Sequence, residues 1–458
     1  MQKLISKYGL AAHLAILAVA PLFLFPVFPS SATAQAMLWL SLIGAVWLLG
    51  APSVLSGERL LDARLRVGRQ LLRDPVFWLT VALAVFAGLR ALNGGIALTY
   101  DAEKLVWVIA RPTVEMFPGC SGSEGALPFA GSVALVVILA GCRHAMGRAA
   151  RTSFAMVSSC LAGVAAVLTL AGEFSELTNL LADGEMERSG SAPGLAFALY
   201  ALLATATLTA VFDRGWAICA PLFFLAIGGC VAGVYAFSPV CQTLAFAGAE
   251  AVLVIVAFIY CCLKLRGTSQ FKFLVIVVVS IGIAAALVEL LMPADALELK
   301  ARPFATLQFV SEDAGRVRAA LSALSLRIWN EHLWIGTGVG SFEVAFRFAA
   351  RAADWALMPC GAKSAPNGWL RLLVEQGVVG LIAFVVPLAF LTVTFVRRLV
   401  GAVKVRALVE PLGWCLPLVL VLVAVAGCFD FSMVRADAVL GACAVSALSA
   451  AAFPKKGK

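Results

Sequence analysis

Residues 273–292 read FLVIVVVSIGIAAALVELLM, and they decide the fold class because Glu289 is their only charged residue. An apolar run of about 17 to 25 residues is long enough to cross a hydrocarbon core of roughly 30 Å as a helix. Lipid offers the backbone no hydrogen-bond partner, so a spanning run must pair its own amides and carbonyls. This stretch therefore predicts a transmembrane helix.

Similar apolar runs recur along the whole chain of 458 residues. Hydrophobic residues make up 62% of it and charged residues 13%, a composition that excludes an ordinary soluble domain. We predict an all-α integral membrane protein, folded as a single polytopic domain over residues 1–458. Its twelve transmembrane helices are expected at residues 9–27, 35–52, 76–92, 127–142, 153–171, 193–212, 216–236, 243–263, 273–292, 377–396, 408–427 and 437–453.

The positions of the basic residues predict that both termini are cytoplasmic. Alternate connecting segments and their edges hold about 21 of the 35 Lys and Arg residues, but only about 5 of the 26 Asp and Glu. An excess of Lys and Arg marks cytoplasmic loops. The net charge of +9 thus reports topology, and it gives no sign of nucleic-acid binding. A cleavable signal peptide is the alternative at the N-terminus, because Lys3 and Lys7, an apolar run and Ala34-Gln35-Ala36 follow one another.

The cysteines and histidines indicate neither a metal site nor a cofactor. Most of the twelve cysteines fall inside apolar runs, where a thiol behaves as a small hydrophobic side chain, and no CxxC or His/Cys cluster occurs. Cys120 and Cys360 fall on the predicted outer side, where a disulfide would persist. No spacing supports that disulfide, so free thiols are the favoured prediction.

Two predicted outer loops are long enough to carry structure of their own. The first, residues 93–126, is expected to hold a short interfacial helix. The second, residues 293–376, connects the ninth and tenth transmembrane helices and is too long for a simple connector. We predict amphipathic helices in this large loop and expect the chemistry of the protein to be located there.

The first helix of the large loop is predicted at residues 315–331, GRVRAALSALSLRIWNE. Apolar residues recur at spacings of 4, 3 and 4 along one face; they are Val317, Leu321, Leu324 and Ile328. Arg316 and Arg327 share one flank of this face, and Arg318 lies on the other flank. Such a helix would rest its apolar side on the membrane domain and present arginines beside it.

A glycine turn and a second helix complete the loop. The helix is expected to end before the turn Gly336-Thr337-Gly338-Val339-Gly340, since glycine adopts backbone conformations that other residues avoid. The turn lacks the Lys-Ser/Thr ending of a nucleotide-binding P-loop. Asn367, directly after Pro366, is a good cap for a second helix that runs past Glu375 and Gly377 into the tenth span.

The order of these elements resembles the O-antigen ligase and O-antigen polymerase superfamily. The similar residues are Arg316, then Leu333-Trp334-Ile335-Gly336-x-Gly338-x-Gly340-x-Phe342, then Asn367-x-x-Leu370-x-x-Leu373-x-Glu375-x-Gly377-x-x-Gly380. The resemblance implies a multi-pass membrane glycosyltransferase on the periplasmic face of a bacterial inner membrane. It would move a glycan from a polyprenyl-diphosphate carrier to a glycan or lipid acceptor, without nucleotide sugar, metal or cofactor. Its partners would be the lipid-linked glycan, the acceptor and membrane lipid.

Arginines bind a diphosphate through paired hydrogen bonds, and a base must take the proton of the acceptor. The candidate diphosphate ligands are Arg316, Arg327 and Arg318. The family commonly has a histidine before the Asn of its second motif, and this chain has Pro366 there. The family also commonly has a Ser-Arg pair on the outer side where the eighth span begins, and residues 238–243 of this chain contain no arginine. The candidate replacement bases are His332, Glu331 and Glu375. Gly336, Gly338, Gly340 and Asn367 would shape the loop.

Each of these residues also has an ordinary interpretation. The ordinary interpretation of His332 is a partly buried hydrogen-bonding or interface histidine, and that of the glutamates is a solvated or capping residue. The same departures from the family favour a non-catalytic member that binds lipid-linked glycan or scaffolds a polysaccharide machine. Twelve helices also suit a secondary transporter. Glu250, inside the eighth span, is either a protonated structural residue or part of an entrance for a lipid headgroup.

Overall fold

The computed structural model describes most of the chain, and every structural statement below concerns these residues. They are residues 2–26, 28, 30–52, 58–93, 97–101, 106–110, 126–173, 193–238, 240–264, 269–291, 312–358, 362, 365–404, 408–429 and 436–451.

The described chain is helical except for one β-hairpin. Before the large loop the helices are α1 (Gln2–Leu24), α2 (Ser30–Gly50), α3 (Leu60–Leu72), α4 (Pro75–Leu92), α5 (Ala126–Ala140), α6 (Arg148–Glu173), α7 (Gly194–Asp213), α8 (Leu222–Phe237), α9 (Val240–Lys264) and α10 (Ser269–Leu291). The large loop contains α11 (Glu312–Glu331), α12 (Phe342–Ala349) and α13 (Ala352–Leu357). The helices after it are α14 (Gly368–Lys404), α15 (Pro411–Phe429) and α16 (Ala436–Ala451). A π-helical turn at Gly141–Ala145 extends α5, and a 3₁₀ turn at Ala217–Cys219 precedes α8.

The helices have the lengths and surfaces of a multi-pass membrane protein. Among the described residues, nine are long and apolar enough to cross a membrane, and shorter apolar helices occur at Tyr8–Leu24, Leu222–Phe237 and Ala438–Ser449. Each of the twelve predicted spans overlaps one of these helices. Their outward faces expose large apolar side chains, for example Val46 on α2, Ile255 on α9 and Val278 on α10. Such faces suit contact with lipid rather than water.

Helix α7 forms the centre of the bundle. Nearly all of its residues from Gly194 to Val211 are buried, because it packs against α6, α8, α9, α15 and α16. Glycines bring two of these neighbours into close contact. A side chain at Gly163 of α6 would collide with the backbone of Leu225 and Ala226 in α8, and Gly229 of α8 meets Gly163 in the same way. In a membrane the hydrophobic effect does not drive helices together. Small residues at a helix crossing stabilise the contact instead, because they let the two backbones approach closely.

The loop at residues 93–126 differs from its prediction. Its described part forms two antiparallel strands, β1 (Ala97–Asp101) and β2 (Val106–Ala110), paired from Ala97–Ala110 to Asp101–Val106. The segment LTY-x₅-VWVI is rich in β-branched and aromatic residues, which favour strands over a helix. Residues 111–125, which include Cys120, lie outside the described residues, as does Cys360.

Helix α3 was not predicted from the sequence. Just after its C-terminal end, a buried ion pair between Asp74 and Arg143 joins the chain to the bundle. Asp74 caps α4 by accepting a hydrogen bond from the Val76 amide at 3.0 Å. The Arg143 guanidinium donates to both carboxylate oxygens of Asp74 at 2.8 and 3.0 Å, and His144 Nε2 lies 2.6 Å from Oδ2. Burial by itself raises the pKa of Asp74, but hydrogen bonds from His144 and Arg143 outweigh it and lower the pKa to about 2.

The carboxyl group of Glu250 points towards α7 inside the bundle. The hydroxyl of Thr205 in α7 donates to Glu250 Oε1. The second oxygen, Oε2, is inaccessible to solvent and has no hydrogen-bond partner among the described residues. Cys230 of α8 and Cys415 of α15 lie near the carboxyl group. These surroundings favour the structural interpretation of Glu250.

Candidate functional site

Helix α11 packs its apolar face onto the short helices of the loop and onto the first part of α14. Leu324 and Ile328 are buried, as the spacing predicts, and Val317 and Leu321 are partly buried beside them. Their partners are Phe342 and Phe346 of α12, together with Met358, Ala365 and Val374. The apolar stripe therefore attaches α11 to its own loop and to α14, which continues into the membrane domain.

Arg327 holds the short helices of the loop in place. Its Nη1 donates to the Ala349 carbonyl oxygen at 3.1 Å and lies 3.6 Å from Asp354 Oδ2. Asp354 in turn accepts a hydrogen bond from the Arg351 amide at 2.8 Å at the start of α13. The rings of Phe346 and Trp355 meet edge to face at 5.2 Å. The Arg327 guanidinium is thus engaged at the end of α12, with part of its side chain still exposed.

Helix α14 begins where the sequence predicts, but it is broken at Gly377. Asn367 Oδ1 accepts a hydrogen bond from the Leu370 amide at 2.8 Å and caps the helix. Gly377 then adopts φ 66° and ψ −168°, so the helix does not run continuously into the tenth span as predicted. A residue with a Cβ would be strained at this positive φ, and the Cβ would also collide with the Trp334 carbonyl group. The break therefore lies where the loop packs directly against α14.

The glycine turn supplies the hydrogen bonds that the broken helix lacks. The Thr337 and Gly338 amides donate to the Val374 and Glu375 carbonyl oxygens at 2.8 and 3.0 Å. In the opposite direction, the amides of Val378 and Val379 donate to the carbonyl oxygens of Leu333 and Trp334, both at 3.0 Å. A helix end buried without such partners would be costly. We call residues 333–338 together with residues 374–379 the turn–break clamp.

The conformation of the turn depends on its glycines. Gly336, Gly338 and Gly340 have φ of 74°, 107° and 75°, the left-handed region that other residues rarely adopt. Gly336 also touches the backbone of α14: a Cβ there would lie 2.6 Å from the Gln376 amide nitrogen. A side chain at position 336 would therefore push the turn off the break.

Arg90 of α4 binds the same break from the membrane domain, and the sequence analysis missed it. Its Nη2 donates to the Glu375 carbonyl oxygen at 2.9 Å, and its guanidinium lies 5.5 Å from the Phe86 ring centroid. The side chain is 2% exposed, although it is charged. An arginine near the end of the apolar run 76–92 is the signal that would have identified it, because ionisable residues in spans are rare and have specific partners.

The carboxylate of Glu375 is also engaged at the break. It is almost fully buried and accepts a hydrogen bond from Arg371 Nε at 3.2 Å, one helical turn earlier. Arg90 binds the backbone and Arg371 the side chain of this one residue. Two cations thus lie at the C-terminal end of a half-helix, where the helix dipole favours positive charge.

The predicted site residues fall into two groups at opposite ends of α11. Arg316 and Arg318 are exposed near its start, and Arg318 Nη2 lies 3.4 Å from the Pro366 carbonyl oxygen. Glu331 and His332 are exposed at its end, next to the turn–break clamp. Sixteen residues separate Arg316 from His332, which at 1.5 Å per residue is about 24 Å along the axis. These two residues are too far apart to act on one reacting bond.

Exposed apolar side chains lie beside His332. Leu333 is 36% and Trp334 66% exposed, although both belong to the segment that holds the break. Leu333 and Trp334 therefore present apolar surface directly beside the exposed His332.

Residues 237–385 match the family model described as O-antigen ligase. The matched range runs from the end of α8 through the turn–break clamp, so it contains both groups of predicted site residues. No curated protein matches the chain. Groups of three or more His, Cys, Asp or Glu side chains able to hold a metal ion are absent from the described residues.

Proposed function

We propose that this chain, which matches the O-antigen ligase family model over residues 237–385, transfers or polymerises a glycan from a polyprenyl-diphosphate carrier. The reaction would take place on the periplasmic face of a bacterial inner membrane, with twelve spans and both termini cytoplasmic. Nucleotide sugars are absent from that side, so a lipid-linked diphosphate must supply the energy of the glycosidic bond. The acceptor is a second glycan chain or a lipid.

The turn–break clamp is the observation that carries the proposal. Four backbone hydrogen bonds of 2.8 to 3.0 Å hold a polar helix end against a broken membrane helix. Groups held rigidly at a water–lipid boundary can orient a lipid headgroup and an acceptor for reaction, which supplies much of a catalytic effect. The clamp is therefore the place where a diphosphate attached to a membrane lipid would meet protein polar groups.

At the clamp, His332 is the leading candidate for the base, with Glu331 as the alternative. Both side chains are exposed, whereas Glu375 is buried and occupied by Arg371. A base must reach the acceptor hydroxyl to within hydrogen-bonding distance. In this arrangement Arg327, five residues before His332, and Arg371 of α14 would supply positive charge to the leaving diphosphate.

Arg316 and Arg318 then take a different role from the one that the sequence alone predicts. From the start of α11 they would contact anionic groups of the glycan or acceptor that extend away from the membrane. If Arg316 binds the diphosphate instead, neither His332 nor Glu331 can be the base, because about 24 Å separates them.

A transfer assay distinguishes these arrangements. Purified protein in lipid is given an undecaprenyl-diphosphate glycan and candidate acceptors, and binding of the donor is measured in parallel. His332→Gln should retain donor binding and lose transfer by about 10²-fold or more, the usual contribution of a general base. Arg316→Ala should weaken acceptor use more than donor binding. Loss of donor binding in Arg316→Ala, with normal transfer in His332→Gln, would instead locate the diphosphate at the start of α11.

A non-catalytic role is the second candidate, and Pro366 is the observation that favours it. At the position of the family histidine the chain offers only the Pro366 carbonyl, which lies near Arg318. Binding of the lipid-linked glycan without transfer to any acceptor would support this role. A secondary transporter is less compatible with the fold, because the groups freed by the break at Gly377 are paired with the turn rather than lining an ion site.

A further inference from the structure

Helix α3 has three different faces along its thirteen residues. Ala63, Val67 and Leu71 recur at spacings of four, are buried, and attach the helix to the bundle. Leu61, Leu65 and Leu72 are 64%, 50% and 66% exposed. Residues at i, i+4 and i+11 share one face of a helix. A stripe of exposed leucines is thus presented away from the protein.

The third face is basic, and it contains Arg66, Arg69 and Arg73 at i, i+3 and i+7. Arg66 is fixed by the fold, since it donates to Glu58 at 2.8 Å and to the His144 carbonyl oxygen at 3.0 Å. Arg69 and Arg73 are exposed, and in the described part of the chain neither forms an ion pair. Asp62 is exposed on the same face, one turn before Arg66.

A tryptophan indicates the level at which α3 lies. The indole of Trp78, in the first turn of α4, is half exposed and donates from Nε1 to the Leu72 carbonyl oxygen at 3.1 Å. Tryptophan at the end of a membrane helix sits at the headgroup region. The end of α3, with Leu72 and Arg73, is therefore held at that depth.

From these faces we infer that α3 is an interfacial helix that binds the phosphate of an anionic phospholipid between Arg69 and Arg73. The leucine stripe inserts among the acyl chains, as on other amphipathic helices that lie in a membrane surface. The two guanidinium groups are one helical turn apart and together form a fork for phosphate oxygens. This lipid is a resident of the fold, distinct from any glycan carrier at the turn–break clamp.

The test measures bound lipid, so it is independent of transfer activity. The full-length protein is reconstituted with phosphatidylglycerol or phosphatidylcholine, exchanged into detergent, and its retained lipid is counted by native mass spectrometry. Wild type should retain phosphatidylglycerol, and Arg69→Gln/Arg73→Gln should need about thirty-fold more of it for equal occupancy. That factor corresponds to about 1 kcal/mol for each of two interfacial arginines.

The control removes the same charge elsewhere. Arg347 and Arg351 are exposed in the large loop, and Arg347→Gln/Arg351→Gln should retain phosphatidylglycerol as wild type does. Leu65→Asn should also weaken retention, because it removes part of the acyl contact. Equal retention in wild type and Arg69→Gln/Arg73→Gln would refute the site. Displacement of the lipid by millimolar inorganic phosphate would show a free-phosphate site and refute the lipid assignment.

Discussion

Arg90 Nη2 lies 2.9 Å from the carbonyl oxygen of Glu375, so a buried arginine of the third predicted span holds the broken end of the tenth. The contact joins residues 285 positions apart in the chain. It links the membrane bundle directly to the segment that the glycine turn also binds. The position of the candidate site therefore depends on the bundle as well as on the loop.

Replacement of Arg90 tests this link. Arg90→Met keeps much of the side-chain volume but removes the donor, leaving the Glu375 carbonyl with fewer partners in a buried place. Hydrogen bonds to charged groups contribute about 1.5 to 3 kcal/mol, and we expect a loss of this size in the free energy of unfolding. Thermal unfolding in detergent would measure it. Arg347→Met, which breaks only an exposed i,i+4 pair with Glu343, should change stability by less than about 0.5 kcal/mol.

Alanine at Gly336 or Gly377 should disrupt the turn–break clamp. Each substitution places an alanine at a positive φ and drives its Cβ into the opposing backbone. We therefore expect the free energy of unfolding to fall by several kcal/mol and donor binding to be lost. Gly401→Ala is the matched control, because that glycine lies in helical α14 with open space around it. It should be neutral or should stabilise by up to about 1 kcal/mol. Wild-type stability in Gly377→Ala would contradict the broken helix.

The Asp74 ion pair predicts a pH-dependent stability. The pKa of the Asp74 carboxyl group is about 2 in the folded state, below its usual value of 3.8, so the ionised carboxylate stabilises the fold above about pH 4. A shift of this size corresponds to about 2 kcal/mol at neutral pH, lost as pH falls through about 4 to 2. Asp74→Asn should therefore lower the unfolding temperature at pH 7, and the difference from wild type should shrink by about half at pH 3. Asp62→Asn, which alters an exposed carboxylate of α3, should leave the unfolding temperature at pH 7 close to that of wild type.

Glu250 provides a test of the bundle interior. Glu250→Gln keeps an oxygen to accept the Thr205 hydroxyl, so its unfolding temperature should remain close to that of wild type. Glu250→Ala removes the acceptor and leaves a void, and we expect a loss of about 2 to 4 kcal/mol. Equal stability of the Gln and Ala variants would show that the Thr205 contact contributes little. Greater loss in Gln than in Ala would indicate that the carboxyl group binds another ligand.

The amino-acid sequence by itself determined the membrane class, the approximate position of every long apolar helix, and the loop helix predicted at 315–331 with its buried stripe. These features follow from local composition and periodicity, which act over one helix at a time. The cap at Asn367 and the turn at Gly336 are also local, since each depends on a few neighbouring residues. The hairpin at 97–110 was missed because its strand-forming residues were interpreted as part of an interfacial helix.

Only the tertiary structure decided what those elements do together. At the break at Gly377, residues 333–338 donate and accept hydrogen bonds that a continuous helix would make internally. In the structure, Arg316 and His332 lie at opposite ends of α11. Arg327 pairs with Asp354, and the buried Arg90 binds the Glu375 carbonyl oxygen. These relationships arise between segments far apart in the chain. Their energies come from pairing buried polar groups in an apolar interior, and that pairing is set by the packing of the whole bundle.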